Sequence, residues 1–425
     1  MRPPGAGRDV RTEVRREQSL TAALPLEGVR VADFTWVGAG PFLTKPLADH
    51  GADVIKVESR TRTDPIRSMV PFRDGKPGTD RSGYFANRNS SKRSMCLDLK
   101  HPEGRRVALD LIARSNVVAN NFTPGTMDRL GLGYDAVREI RPDIVYLEMP
   151  MQGASGPHRD FRGYGLTIAA AGGLLGLSGY PDRPPVGTGT NYPDHVPNPL
   201  HGAVAVLAAL RNRQHTGQGE YIELAQLEST VNAIGPALLA ASAGHQPERM
   251  ANDDVVAAPH GVYPCSGADS WCAIAVFTNS QWSGLSRVLG TPAWAGRADL
   301  ADEPGRRSSR RELDDLLASE TKSWDADDLA AALADAGVPA SPVRDADGVL
   351  NHDPQLQARG HWVRLDHPVM GPSVYDGIPY RLSRTPGHLR GPAPLLGGDS
   401  RAVCVELLGM DEKTYEALAE EGVIG

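Results

Sequence analysis

The sequence predicts an α/β protein, a parallel sheet with helices on both faces joined to a smaller α+β domain. Two observations carry that reading. Between residues 29 and 149, short runs rich in β-branched residues alternate with amphipathic helical stretches, as strands joined by crossover helices do. After about Gly244 the pattern changes to paired short strands and then helices set among polar loops. With 425 residues and 40% hydrophobic content, the chain exceeds one ordinary core and can bury two.

The first unit runs from a strand at 29–34 through the turn Gly38-Ala39-Gly40 to a helix at 41–50 and a strand at 53–58. Pro41 suits a first helical position and Gly51 a helix end. The unit repeats as a helix at 102–114 with a strand at 116–119, then as a helix at 134–140 with a strand at 143–149. Gly38 and Gly40, with Glu58 about twenty residues on, invite a nicotinamide or flavin reading. The third glycine of that fingerprint would fall at Leu43, so the close helix–strand contact is missing and an oxidoreductase is disfavoured.

Residues 163–179 read as an Ala/Gly-rich helix and loop, after which Pro181, Pro184 and Pro185 break the chain. A helix at 199–213 is nearly apolar all round, which predicts deep burial. Gly217-Gln218-Gly219 ends it, before a strand at 220–224 and an Ala-rich helix to about Ala243. Beyond it, 262–265 and 271–277 read as antiparallel strands around the turn Ser266-Gly267-Ala268-Asp269. Helices at 281–289, 311–320 and 326–336 follow, then a strand at 338–343 and a last helix near 411–420. The predicted boundaries are a mobile leader at 1–24, a large domain starting with 25–244, a small domain at 245–337, and a segment, 338–425, returning to the large domain.

A net charge of −7 and a pI near 6.0 argue against a nucleic-acid binder, which needs a basic face to neutralise phosphates. Local basic clusters could still hold one small polyphosphate. The four cysteines, Cys96, Cys265, Cys272 and Cys404, form no CxxC pair and have no His companion at metal spacing, so no metal site and no disulfide framework is predicted. A reducing cytoplasm fits. No apolar run approaches the roughly 18 residues that span a bilayer, and residues 1–18 lack the apolar core of an export signal.

Asp194 stands in a Pro-broken turn just before the long helix, within Asn191-Tyr192-Pro193-Asp194-His195-Val196-Pro197-Asn198. A carboxylate near a helix N-terminus stays ionised and solvent-reachable, and so can serve as a nucleophile. The same residue could instead cap the helix beginning near Asn198.

The order of signatures resembles the family III CoA-transferases, the group of formyl-CoA, carnitine and succinyl-CoA transferases, with α-methylacyl-CoA racemases as relatives. The resemblance is carried by Leu26-Glu27-Gly28-Val29-Arg30-Val31-Ala32-Asp33, Gly51-Ala52-Asp53-Val54-Ile55-Lys56-Val57-Glu58 and Ser91-Lys92-Arg93-Ser94. It continues with Asn121-Phe122-Thr123-Pro124-Gly125, Asp128-Arg129-Leu130-Gly131, Thr216-Gly217-Gln218-Gly219-Glu220, Gly337-Val338-Pro339-Ala340-Ser341-Pro342-Val343 and Ala393-Pro394-Leu395-Leu396-Gly397. It covers about 26 to 405. It implies a discontinuous Rossmann-like CoA-binding domain and an interlocked homodimer whose site lies between one subunit's large domain and the other's small domain.

For function, the resemblance implies acyl-CoA and a carboxylic acid as substrates, with CoA bound as substrate and no permanent cofactor. Asp194 falls on the family's catalytic aspartate, although Pro193 stands where a glycine usually does and His195 follows. Gly38, Ala39 and Gly40 are implied as the backbone loop along the thioester, with Trp36 and Val37 beside it. For the CoA phosphates, Lys92 and Arg129 fall on positions that contact the nucleotide in relatives. Arg60, Arg88 and Arg93 are further candidates as basic residues near the right elements. His260, which stands where the family has a mobile loop, and Tyr164 are candidate lid or substrate contacts. The racemases use a Gly-His-Asp triplet that here reads Gly163-Tyr164-Gly165, so a racemase would lack its acid/base partner. Transfer is favoured over racemisation, and retention of Asp194 speaks against a non-catalytic subunit of a heteromeric transferase.

Overall fold

The computed structural model describes residues 23–425, so the expected leader lies outside it except for its last two residues. The described chain forms two compact units. The first takes the residues up to Leu175 together with Gly187–His245 and Gln357–Gly425; the second takes Gly176–Val186 and Gln246–Leu356.

The first unit is built on six parallel strands, β1 (Arg30–Asp33), β2 (Asp53–Glu58), β3 (Arg93–Cys96), β4 (Val117–Asn120), β5 (Val145–Glu148) and β6 (Glu220–Glu223). Their order is β3-β2-β1-β4-β5-β6, which changes direction between β1 and β4. A doubly wound sheet of this order opens a crevice at that switch, beyond the carboxyl ends of its strands. The joining helices are α1 (Ala39–Asp49), α2 (Gly83–Arg88), α3 (Pro102–Ala113), α4 (Thr126–Arg129), α5 (Tyr134–Ile140), α6 (Gly165–Ala171), α7 (Tyr192–His195) and α8 (Pro197–Thr216).

The two-residue period of the strands divides the core. Val31, Val54, Val117 and Val145 face Leu43 and Leu47 of α1 and Val206 and Leu210 of α8. Their neighbours Ala32, Ile55, Val118 and Tyr146 face Val107 and Leu111 of α3, Val137 of α5, and Val423 and Ile424 at the chain end. Glycine sets the closest approach. A Cβ on Gly202 of α8 would sit 2.1 Å from Leu43 Cδ1 of α1, and one on Gly40 would sit 2.3 Å from Thr35 Cβ.

Three expectations need correction. The first helix starts at Ala39 and not at Pro41, so Gly38-Ala39-Gly40 is its cap and first turn and not a free loop. Helix α8 is not buried all round: Leu200, Val204 and Leu207 are 55%, 66% and 42% exposed. Their spacing of four and then three residues puts them on one face, while Gly202, Val206, Ala209 and Leu210 are buried. The third correction concerns the segment after 337. The strand expected to return to the large domain is β9 (Ala340–Pro342), and it pairs antiparallel with β8 (Trp271–Ala275), which itself pairs with β7 (His260–Pro264) as the sequence predicts. Backbone pairing therefore holds β9 in the second unit, which runs on to Leu356. There α9 (Asn279–Val288), α10 (Arg310–Thr321) and α11 (Ala326–Asp335) bury Trp282, Leu285, Leu317 and Leu333 against that sheet.

Candidate active site

A cavity of about 930 Å³ opens in the first unit where the sheet order reverses. Residues just beyond the carboxyl ends of β1 to β5 line it, and Asp194 lies in its wall. The turn after β1 is held by side chains. Asn121 accepts from the Trp36 N–H at 2.8 Å and donates to the Trp36 carbonyl at 2.7 Å. Val37 follows in the left-handed region, at φ 64°, which is strained for a β-branched residue. Its N–H donates to Asp64 Oδ1 at 3.0 Å, and Lys56 Nζ lies 2.9 Å from the other oxygen of that fully buried carboxylate. Arg67 pins Glu58 through bonds of 2.9 and 2.7 Å, so the acidic residue that suggests a dinucleotide site is committed internally.

Asp194 occupies the third position of the four-residue helix α7, with Pro193 at the second, where a missing N–H costs nothing. It caps no helix: α8 starts after Val196 without a side-chain cap. Its Oδ2 accepts from the Gly165 N–H at 3.0 Å, and among the described residues no cation pairs with it. Two glycines make room for it. A Cβ on Gly165 would lie 2.8 Å from Oδ2 and 2.7 Å from Asn191 Cβ, and one on Gly38 would lie 3.0 Å from Asp194 Cβ. The expected solvent-reachable carboxylate is instead 5% exposed, and burial pushes its pKa up to about 6, with the Gly165 N–H pulling the other way. At pH 7 it is still mostly ionised, with little water to stabilise the charge.

The other candidates divide sharply. Trp36, Val37, Gly38, Ala39, Tyr164 and Arg129 line the same cavity as Asp194. Tyr164 is 62% exposed, and Thr167 bonds its backbone on both sides to start α6. Gly40 turns toward Thr35, so its missing side chain serves packing and not a ligand. Lys92 is a correction. Its ammonium is buried and saturated by Thr44 Oγ1 at 2.7 Å, Asn89 Oδ1 at 2.9 Å and the Pro41 carbonyl at 2.9 Å, with Asp33 at 3.3 Å. Burial pulls its pKa down to about 8, and no donor is left for a phosphate. Arg93 opens β3 at the amino end of the sheet, away from the cavity, and pairs with Asp53 at 2.7 Å. Arg88 lies 4.3 Å from the Phe42 ring centroid, and Arg60 is exposed beside Gly425. His260 belongs to β7 of the second unit and bonds the Asn252 carbonyl.

Sequence reasoning missed three cations that do line the cavity, Arg62, Lys100 and Arg162. Among the described residues none of them meets a carboxylate. Their signals were in view: Arg62 is two residues beyond Arg60, Lys100 ends Leu97-Asp98-Leu99-Lys100, and Arg162 directly precedes the Gly163-Tyr164-Gly165 triplet. Arg62 also stacks over Trp36 at 5.2 Å.

The chain is similar to known proteins in sequence and in fold. The sequence profile of CoA-transferase family III matches residues 26–400. The succinyl-CoA–D-citramalate CoA-transferase of Chloroflexus aurantiacus is 32% identical over 94% of this chain and 98% of its own. The succinate–glutarate CoA-transferase of Agrobacterium fabrum is 32% identical over 90% of this chain and 96% of its own. A crystal structure of a CAIB/BAIF family protein from Brucella suis superposes with a TM-score of 0.82 at 32% identity, covering 91% of this chain and all of that one (100%). By fold and by sequence along nearly its whole length, the chain belongs to CoA-transferase family III.

Proposed function

We propose that this chain moves CoA from an acyl-CoA to a carboxylic acid through a CoA thioester formed on Asp194. The observation that carries the reading is a buried carboxylate in a cavity wall that has no cation partner among the described residues, one oxygen held by a backbone N–H. An oxygen of Asp194 attacks the acyl carbonyl carbon and the C–S bond breaks, giving a mixed anhydride and CoA thiolate. The thiolate attacks the aspartyl carbonyl, and the donor acid leaves as its carboxylate. The acceptor carboxylate then attacks the thioester, the thiolate leaves again, and its return to the new acyl carbon restores Asp194. Every bond broken is matched by one formed, so the thioester energy is kept.

Each step passes through an oxyanion, for which the first N–H groups of α1, beginning at Ala39, are suitable donors. Arg129, Arg62 and Lys100 supply charge for the phosphates of CoA. Arg162 is the lining cation nearest in sequence to the Gly165 contact, and it would suit a second carboxylate on the acid. The two transferase relatives carry dicarboxylic acids in their names, which supports that class of substrate. Racemisation is disfavoured because Tyr164 stands where the racemases' triplet has its acid/base histidine. A homodimer is part of this reading, supported by the apolar exposed face of α8. So is a reducing compartment, supported by four free, buried cysteines.

The test is a panel of acyl-CoA donors and mono- or dicarboxylic acids, read by mass spectrometry, on the native chain and on Asp194→Ala. Transfer should vanish in the variant. Hydroxylamine or borohydride added after acyl-CoA should mark the Asp194 peptide alone. Deuterium entering the α-carbon of a 2-methylacyl-CoA without an Asp194 adduct would overturn the proposal in favour of racemisation.

A further inference from the structure

His195 follows Asp194 directly, yet it does not line the cavity and takes no part in the steps above. Both of its ring nitrogens are nevertheless engaged. Nε2 lies 3.1 Å from the Tyr84 hydroxyl and Nδ1 lies 2.9 Å from the Thr190 hydroxyl. The ring is edge-on to Phe42 and Tyr84, with centroids 6.5 and 6.1 Å apart. The Tyr84 hydroxyl and Asp194 Cβ lie 3.4 and 3.0 Å from the same point, the place a Cβ on Gly38 would fill. A chain from Thr190 through His195 to Tyr84 thus ends beside the residue that bears the carboxylate.

The chemistry of that chain is settled by charge. Burial, assisted by Arg88, pushes His195 down to about 4, so the imidazole is neutral near pH 7. A neutral ring has one donor and one acceptor nitrogen, which is what a link between two hydroxyls needs. Because His195 also ends the four-residue helix that carries Asp194, fixing its ring fixes the turn.

We propose that His195 is a positioning residue for Asp194: tied to Thr190 and Tyr84, it locks the Tyr192–His195 turn and the Tyr84 hydroxyl so that the nucleophile meets the acyl carbon in one orientation. The inference rests on the Asp194 mechanism above. Loosening the turn degrades attack geometry, where a shift of about 1 Å costs roughly a hundredfold, and leaves the grip on CoA intact.

The test compares Tyr84→Phe, His195→Leu, His195→Gln and the double variant Tyr84→Phe/His195→Leu in the full chain. It uses the fastest donor and acceptor pair from the panel, with Asp194→Ala in parallel. Tyr84→Phe and His195→Leu should each lower kcat about tenfold or more with KM for acyl-CoA within about twofold. The double variant should be no worse than His195→Leu by more than about twofold, because both single changes break one chain. Gln, whose amide can still bond the tyrosine, should recover most of the rate. Losses that add, that fall on KM, or that stay within about twofold of the parent would sink this inference while Asp194-dependent transfer stood. Activity surviving Asp194→Ala would instead remove the mechanism beneath it.

Discussion

At Asp194 the protein keeps a carboxylate where its charge is poorly solvated. Burial raises its pKa from 3.8 to about 6, so holding it ionised at pH 8 costs the fold about 3 kcal/mol. The sign follows from the direction of the shift. A raised carboxylate pKa makes the folded state the tighter proton binder, so the penalty is absent below the unfolded value and complete above about pH 6. Asp194→Asn should therefore melt higher than the parent at pH 8 and no differently near pH 3, while losing transfer. An equal or lower Tm at pH 8 would show that the site bears no such strain. In the native enzyme the protonated form cannot attack, so kcat/KM for acyl-CoA should fall as pH drops through about 6, and a flat profile between pH 5 and 8 would contradict Asp194 as nucleophile. The residue type and its place before a long helix were legible in the sequence. Its burial was not, because the glycines that enclose it, Gly38 and Gly165, come from distant segments.

At the scale of elements, α1 and α8 decide where that aspartate points. They cross at Gly202, where any side chain meets Leu43. Gly202→Val should destabilise the protein by about 1–3 kcal/mol in urea melts, as overpacking does, and should lower transfer because α7 precedes α8 directly. Unchanged stability would mean that the helices part freely. Leu43 was read correctly as the absence of a dinucleotide glycine, but its partner could not be named without the fold. Lys92 teaches the same lesson from the other side. Its place in a family motif suggested a phosphate contact, and its buried bonds to Thr44, Asn89 and Pro41 make it a fastener between α1 and the segment before β3. Arg129 is the candidate cation that the fold does bring to the cavity, so Arg129→Ala should raise KM for acyl-CoA about tenfold or more, since a charged hydrogen bond is worth about 1.5–3 kcal/mol. Affinity equal to the parent would remove it from the site.

On the scale of the whole molecule, the exposed stripe of Leu200, Val204 and Leu207 has no partner among the described residues of its own unit. A charge there should weaken a homodimer without touching the core: Val204→Lys should shift sedimentation toward the monomer while circular dichroism stays that of the parent. A parent that already sediments as a monomer would end the dimer proposal. Among the described residues no helix is long and apolar enough to cross a membrane.

By itself the sequence determined the alternation of strands and helices, the parallel sheet, the hairpin of the second unit, and the family. Those properties are local or repeated along the chain: a two-residue period, a helical period, turn residues and ordered motifs. Tertiary structure alone decided which polar groups face the cavity and which are spent inside the fold. It turned Lys92 inward, brought Arg62, Lys100 and Arg162 to the wall, and carried the strand at 340–342 into the smaller sheet. The physical reason is that burial and pairing depend on segments far apart in the chain, and a lysine reads the same whether its ammonium meets water, a phosphate or a buried carboxylate.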